Sequence, residues 1–552
     1  MSGAVKEEWC VGWGWWQARL AALLALPVLL TGAYGTNYVF LAAPTAYRCQ
    51  VPECEGNSSG VAAPGQWAPA WAQWALPDGE PCKRWRPLDG ACTEHSFDNT
   101  TTLACDAYIY QSGSSIVSEF NLACEEWKRS LVGTVHNVGM LISLPIMGFV
   151  SDKWGRRAAL MVSGCGAGLA GLGKSFVAYR GDTNALPASK KFYDTLFKKP
   201  HVVALWENLG WELIPNPHGT QEKRSREPLL IEWLGVEHRI LASLVLGIPL
   251  SLGAASLSLL DYLTGYWRFW ARVAYPPSLL LLLYPWILPE SVRWLATQGR
   301  FSEAVQVIKK AAKYNGTKVP EESLEKMLLN ERESPGGSSS DVNESLFKAL
   351  VKYGGLRRRL AVCFVWWVCA VFVFYGLAVR AHALRGSAHA NYALVAAAEL
   401  PALVLNTLLL DRVGRRPLLT AAFLLTAAAF MALPWLPEHS HAGWGTGLYL
   451  AGKTGATMAL NALYVYTAEL FPTRARHRLL AACSTLGRLG AILAPLTPLL
   501  AAYGSWVPTA LFGALPLLSA SLTPLVPDTL HRRLPDSFAD LDSTAAILPA
   551  DV

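Results

Sequence analysis

FVSDKWGRRAAL (149–160) sets an aspartate and three basic residues between two long apolar runs, and LLLDRVGRRPLL (408–419) nearly repeats it in the second half of the chain. In the first copy Gly155 permits a tight turn between antiparallel helices, because glycine adopts positive φ at no steric cost. Arg156 and Arg157 then stay with the cytoplasmic headgroups, and Asp152 can bond the neighbouring helix end or an arginine. Asp411, Arg415 and Arg416 imply the same turn in the second copy. Two ordinary basic loops would share the charge bias but not the D-x-x-G-R-R spacing, so the pair reads as an internal repeat.

The rest of the chain agrees with a membrane setting. Of 552 residues, 52% are hydrophobic and only 16% charged, too apolar a balance for a soluble globule. Apolar runs long enough to cross a bilayer fall at about 18–43, 131–150, 158–179, 240–262, 269–289, 359–379, 391–410, 417–436, 444–468, 479–502 and 506–527. These are helical, since short alternating strands are lacking, and the fold class is an all-α polytopic membrane protein. The net charge of +7 is spread over loops beside the apolar runs instead of forming one basic face, which argues against nucleic acid as a partner. The acidic, Trp-rich start MSGAVKEEWCVGWGWWQARL reads as an interfacial anchor and not as a cleaved signal.

Two hydrophilic segments interrupt the pattern. The loop 45–128 carries Cys49, Cys54, Cys82, Cys92, Cys105 and Cys124, with sequons at Asn57 and Asn99. Six of the 11 cysteines in one polar loop argue for disulfides on an extracytoplasmic side, where both sequons can be glycosylated. Their pairing is open at this stage. The segment 290–358 is dense in lysine and arginine, which marks it as cytoplasmic. Its sequon-like Asn315 and Asn343 are read as chance. ESVRWLATQGRFSEAVQVIKKAAKYNG has helical spacing, whereas ERESPGGSSSD (331–341) is linker chemistry. The expected organisation is a membrane half over 1–289, a cytoplasmic loop over 290–358, a second half over 359–527 and a cytoplasmic tail over 528–552.

DKWGRR, DRVGRR, PESVRWLATQGR (289–300) and AELFPTRAR (468–476) resemble the major facilitator superfamily, specifically its organic cation, anion and carnitine transporter family. The Cys-bearing first loop and the ending LVPDTLHRRLPDSF (525–538) fit that resemblance, which covers nearly the whole chain. It implies a major facilitator fold of twelve helices in two six-helix halves, a small organic ion bound near the midplane, and alternating access by rocking of the halves. It also implies cytoplasmic charge networks that hold one access state closed, formed by Asp152, Arg156, Arg157, Glu290 and Arg293 in the first half and Asp411, Arg415, Arg416, Glu469 and Arg474 in the second. The protein is then expected at the plasma membrane with both termini cytoplasmic.

One stretch departs from the resemblance. Between the first GRR turn and the central loop the chain must cross the bilayer an even number of times, yet only 158–179, 240–262 and 269–289 are apolar enough. A fourth family helix should lie near 180–228, which is atypical or missing. Its best window, about 201–217, holds Glu207, Glu212 and prolines, and each central charge costs about 2.5 to 3.5 kcal/mol to insert. A segment replaced through splicing or gene modelling explains this better than a native insertion, because a polar stretch in lipid cannot satisfy its backbone.

Charges at membrane depth point to the substrate, since burying them needs a partner, a cavity or a ligand. Arg488 lies about nine residues into its helix, roughly 14 Å from the start and too deep to snorkel. Relatives that prefer cations tend to have an acid at the matching position and carriers of anions and zwitterions an arginine. A guanidinium there can bind a carboxylate bidentately; the competing role is an ion pair with Glu399. Lys453 is a second deep cation with the same two roles open, a substrate contact or a structural ion pair, and together with Arg488 it tilts the cavity positive, while Lys174 and Arg272 near helix ends are expected to snorkel. Among the aromatics Trp366, Trp367, Phe372, Phe374, Tyr375, Tyr464 and Tyr466, most are expected to pack helices, with Tyr375 the best cage residue and Tyr464 a second. His136 reads as a packed or pore-lining polar group. No phosphate loop and no zinc-type spacing occurs in the sequence, so neither an enzyme, a metal nor a cofactor is expected. A non-transporting receptor or scaffold and a sugar transporter of the same superfamily are the alternative functions.

Overall fold

The computed structural model describes residues 14–56, 60–62, 67–176, 239–317, 346–437, 442–472, 475–504 and 506–530, with 535, 538 and 541. Apolar runs in hydrocarbon must satisfy their backbone internally, and here they do so as helices. In the first half these are Trp15–Gly35, Glu126–Trp154, Arg156–Phe176 and Arg239–Thr264, followed by Trp267–Ala274 and a 3-10 run Pro276–Leu283. In the second they are Gly354–Arg380, Ala388–Ala397 leading into Glu399–Val413, Arg415–Ala432, Ala442–Leu470, Arg476–Leu493 and Val507–Leu522. Among the described residues eight helical spans are long and apolar enough to cross a membrane. The other three expected runs are helical too over their described residues, but glycine and lysine dilute 158–179 and 444–468, and Pro276, Pro277 and Pro285 break 269–289. The segment 180–228, the linker 331–341 and most of the tail lie outside the described residues.

The halves repeat each other in packing as well as in sequence. Helix Trp15–Gly35 crosses Arg239–Thr264 so closely that a Cβ on Gly32 would strike the Leu250 carbonyl, and one on Gly253 the Leu29 carbonyl. In the second half Gly490 lies against the Val368 carbonyl in the crossing of Arg476–Leu493 over Gly354–Arg380. Small residues at such crossings let backbones approach and replace the hydrophobic drive that lipid does not supply. Two buried clusters result, the second built on Trp366, Trp367, Phe423 and Tyr466.

The GRR turns are the hinges the spacing suggested. Gly155 has φ +94° and Gly414 φ +107°, each separating two consecutive helices. A Cβ on Gly155 would run into the Glu290 carboxylate, and one on Gly414 would come within 2.6 Å of Asp528 Oδ2. Gly155→Ala is therefore expected to destabilise the protein by at least about 1 to 2 kcal/mol from the left-handed backbone alone. Gly166→Ala on the next helix, where a Cβ meets nothing within 4 Å, should be near neutral. Thermal unfolding of the two variants compares them.

The loop 45–128 is the part that is not helical. Tyr47–Cys49 pairs antiparallel with Tyr108–Tyr110, Gly60–Val61 adds to the latter in parallel, and Lys83–Pro87 pairs with Phe97–Ala104. These strands lie outside the sequence expectation, because runs of two to eight residues are too short to show an alternating pattern. The disulfides are Cys49–Cys105, Cys54–Cys92 and Cys82–Cys124, with Cα separations of 5.5, 5.7 and 5.8 Å, ordinary for the bond. A small core of Val51, Ala75 and Phe97 fills the loop. It rests on the membrane half through the Trp267 N–H to the Ser114 carbonyl and an ion pair of Arg268 with Glu119.

Candidate functional site

The deepest polar groups meet where the halves face each other. Arg488, on Arg476–Leu493, is 6% exposed. Its guanidinium lies 3.5 Å from the Tyr375 hydroxyl on Gly354–Arg380 and 3.9 Å from the Met140 sulfur of the opposite half. Nearby on the first-half side, Tyr38 packs its ring at 4.9 Å from His136, which bonds the Gly35 carbonyl at 3.1 Å. The Tyr38 hydroxyl and Asn137 Oδ1 are buried, and among the described residues neither finds a partner in hydrogen-bond geometry, although the Tyr38 and Asn137 side chains are neighbours. A guanidinium, a half-buried phenol and two unsatisfied polar atoms line the same seam, and a ligand carboxylate or carbonyl can complete such a set.

Lys453 makes an ion pair, one of the two roles its sequence position left open. It is 1% exposed, its ammonium lies 2.9 Å from Glu399 Oε1, and it stands 3.4 Å from the centre of the Phe374 ring. Glu399 also accepts the Ser251 hydroxyl from the opposite half at 3.1 Å. The pair offsets the charge of Lys453, which therefore adds little to a positive tilt of the cavity. Lys174 does not snorkel: it is buried, bonds the Tyr275 hydroxyl at 3.1 Å and faces the Trp270 and Tyr275 rings. Ring faces and a phenol two elements away supply what the headgroups would have offered. Arg272 is exposed and donates to the Ser175 carbonyl at 3.0 Å.

The aromatics divide between packing and the seam. Trp366 donates to the Ser519 carbonyl and stacks on Tyr466, whose hydroxyl bonds the Pro527 carbonyl. Trp367 donates to Thr467 and meets Tyr464 edge-on at 4.6 Å. Phe372 packs against Phe512. Tyr375 reaches Arg488 through its hydroxyl.

Toward the disulfide-bearing side the halves are tied by several direct contacts. His389 Nε2 lies 2.9 Å from Asp261 Oδ2, the Ser258 hydroxyl donates to the His389 carbonyl, Thr36 and Tyr392 share a hydrogen bond, and Thr134 donates to the Ile492 carbonyl. The sequence singles out none of these residues, and all but His389 lie in an expected span. Aromatic and polar residues at span ends, such as Tyr392 and His389, carried no periodic signal that separates a gate from a headgroup anchor.

On the cytoplasmic side the charges form two matching clusters, one in each half. Glu290 accepts backbone N–H groups of Arg156, Arg157 and Ser291 at 3.0 to 3.4 Å, while Asp152 lies 3.7 Å from Arg156. A carboxylate is thereby held at the N-terminus of helix Arg156–Phe176, where unsatisfied donors and the dipole favour it. Burial pushes the Glu290 carboxyl above its usual range, against the pull of those N–H groups and of Arg157. In the second half Arg415 pairs with Asp411 at 2.9 Å and Glu469 at 3.1 Å, and Asp528 accepts the Arg416 N–H at 3.3 Å. Asp528 is the counterpart of Glu290, and setting LPESVRW (288–294) beside VPDTLHR (526–532) would have found it. Arg293 lies on the helix Val292–Thr297, Asn99 on an exposed strand, and Arg474 and Asn57 fall outside the described residues. Among the described residues no group of three or more His, Cys, Asp or Glu could hold a metal ion.

Known proteins share this organisation. A family model described as "Sugar (and other) transporter" matches residues 242–534. The chain is 31% identical to the organic cation/carnitine transporter 2 of Homo sapiens, over 95% of this chain and 91% of that protein. It is 29% identical to solute carrier family 22 member 7 of Bos taurus over 97% and 95% of the two chains, and 28% identical to an organic cation transporter protein of Drosophila melanogaster over 96% and 92%. In fold it is similar to the xylose transporter XylE of E. coli in a partially occluded inward open conformation. That match has a TM-score of 0.58 at 14% identity and covers 93% of this chain and 98% of that one.

Proposed function

The chain belongs to the sugar (and other) transporter family, within solute carrier family 22, the organic cation and carnitine transporters, and on that premise we propose that it carries carboxylate-bearing organic ions, zwitterions of the carnitine type or anions with an apolar body. It is a membrane transporter of the major facilitator fold and not an enzyme. The observation that carries the substrate reading is Arg488, buried on the seam beside the Tyr375 hydroxyl and against Met140 of the opposite half. A guanidinium there can bind a ligand carboxylate with two parallel hydrogen bonds, and the Tyr375 ring offers an apolar or cationic body a face to stack on.

Alternating access follows from the contacts across the seam. The Asp261–His389, Ser258–His389 and Thr134–Ile492 contacts close the disulfide-bearing side. The two cytoplasmic clusters stay within their halves, each carboxylate holding its helix start rigid while the halves rock. We place the protein at the plasma membrane with the disulfide loop outside. A non-transporting receptor is the second reading, favoured by the polar composition of 180–228. Reconstituted protein given labelled organic cations, anions and zwitterions in turn separates them: saturable uptake of carboxylate-bearing compounds supports carriage, and absence of uptake of all three classes supports the receptor.

A further inference from the structure

Beneath the first half, the central-loop helices Val292–Thr297 and Phe301–Asn315 close over the starts of Trp15–Gly35 and Arg156–Phe176. The Trp16 N–H donates to Asn315 Oδ1 at 2.8 Å, and the Asn315 amide donates to Gln17 at 3.1 Å, which pins the loop to the first helix. Between them lies a cavity of ≈ 420 Å³ that includes Arg19, Arg157 and Lys310 in its wall. Two carboxylates also line it, but both are engaged: Glu290 accepts the N–H groups at the helix start, and Glu303 pairs with Arg300 at 2.7 Å. With Arg300 the wall carries four cations, Arg19, Arg157, Arg300 and Lys310, against these two carboxylates and is net positive. Arg19 is presented over the Trp16 and Tyr314 rings at 5.9 and 5.5 Å, and Arg157 donates to the Pro285 carbonyl at 2.8 Å.

The mouth of this cavity is flanked by Trp154 and Trp286, 55% and 80% exposed. Both end membrane helices on the cytoplasmic side, the depth at which tryptophan settles among headgroups. A positively charged cavity opening between two interfacial tryptophans meets the anionic phosphates of the inner leaflet. We propose that it binds the headgroup phosphate of an anionic phospholipid, seated among Arg19, Arg157 and Lys310, and that the lipid thereby braces the central loop against the first half. None of these residues belongs to the substrate seam.

The full chain in nanodiscs of phosphatidylcholine with a minor fraction of phosphatidylglycerol tests this, with retained lipid counted by native mass spectrometry. Phosphatidylglycerol is expected to be retained over phosphatidylcholine, and the preference to fall about five-fold for each cation removed in Arg19→Gln and Lys310→Gln. Lys310 is exposed, so its substitution leaves the packing intact and the test decisive. Equal retention of the two lipids by the unaltered protein overturns the proposal, as does an unchanged preference in both variants. Displacement of phosphatidylglycerol by equimolar inorganic phosphate also overturns it, by assigning the cavity to a soluble phosphate compound.

Discussion

Replacing Arg488 by alanine is expected to lower uptake of a carnitine-like zwitterion by about a hundred-fold or more, while a simple quaternary cation is carried as before or better. The size follows from removing one partner of a desolvated, charge-assisted pair, about 3 kcal/mol or more. The direction follows from placement, because Arg488 is buried on the seam beside the Tyr375 hydroxyl and against Met140 of the opposite half. Arg488→Lys should fall between the two, since an ammonium keeps the charge but not the two-pronged geometry. Tyr375→Phe removes only a phenol 3.5 Å away, and a small effect, about 1 kcal/mol, is expected. Initial rates of uptake into proteoliposomes give all of these values. Equal loss for the zwitterion and the simple cation would mean that Arg488 holds the bundle together instead of selecting its cargo.

The second large effect concerns stability. Lys453→Ala strands Glu399 beside Ser251 without its cation, and breaking a buried pair from one side costs about 3 to 5 kcal/mol. Glu399→Gln combined with Lys453→Met removes both charges at similar volume and should cost far less, because no uncompensated charge remains. A double-mutant cycle on unfolding in detergent measures the coupling, expected to be large because the groups are 2.9 Å apart. Additive single effects would show that the pair is not coupled. A second cycle, Ser251→Ala with Glu399→Gln, probes contact between the halves, since Ser251 brings the first half to this carboxylate.

The hinges were the most legible part of the molecule. A glycine followed by two arginines between apolar runs has few structural solutions, and Gly155 and Gly414 adopt the expected left-handed backbone. What composition could not supply was the partner reaching each hinge from far along the chain. Glu290 comes from 134 positions beyond Arg156, and Asp528 from 112 beyond Arg416; only alignment of the two half-ends exposes the second. Deep cations were legible as cations at depth, but their neutralisation was not. Lys453 and Arg488 look alike in sequence, yet Glu399 sits at 2.9 Å from the one, while Tyr375 and Met140 border the other. Lys174 misled because distance from a helix end measures reach to the headgroups but not the rings of Trp270 and Tyr275 on a neighbouring segment. The disulfide pattern needed the short strands that set Cys49 beside Cys105, and those strands are too brief to read.

The most direct test of carboxylate recognition alters the cargo and leaves the protein untouched. Uptake by reconstituted protein is measured for a carnitine-like zwitterion and for its methyl ester, which keeps the quaternary ammonium and the carbon skeleton and loses only the anionic charge. Saturable uptake of the zwitterion with little or none of the ester is the expected result; equal carriage of both, or preference for the ester, would contradict a carboxylate seated on Arg488.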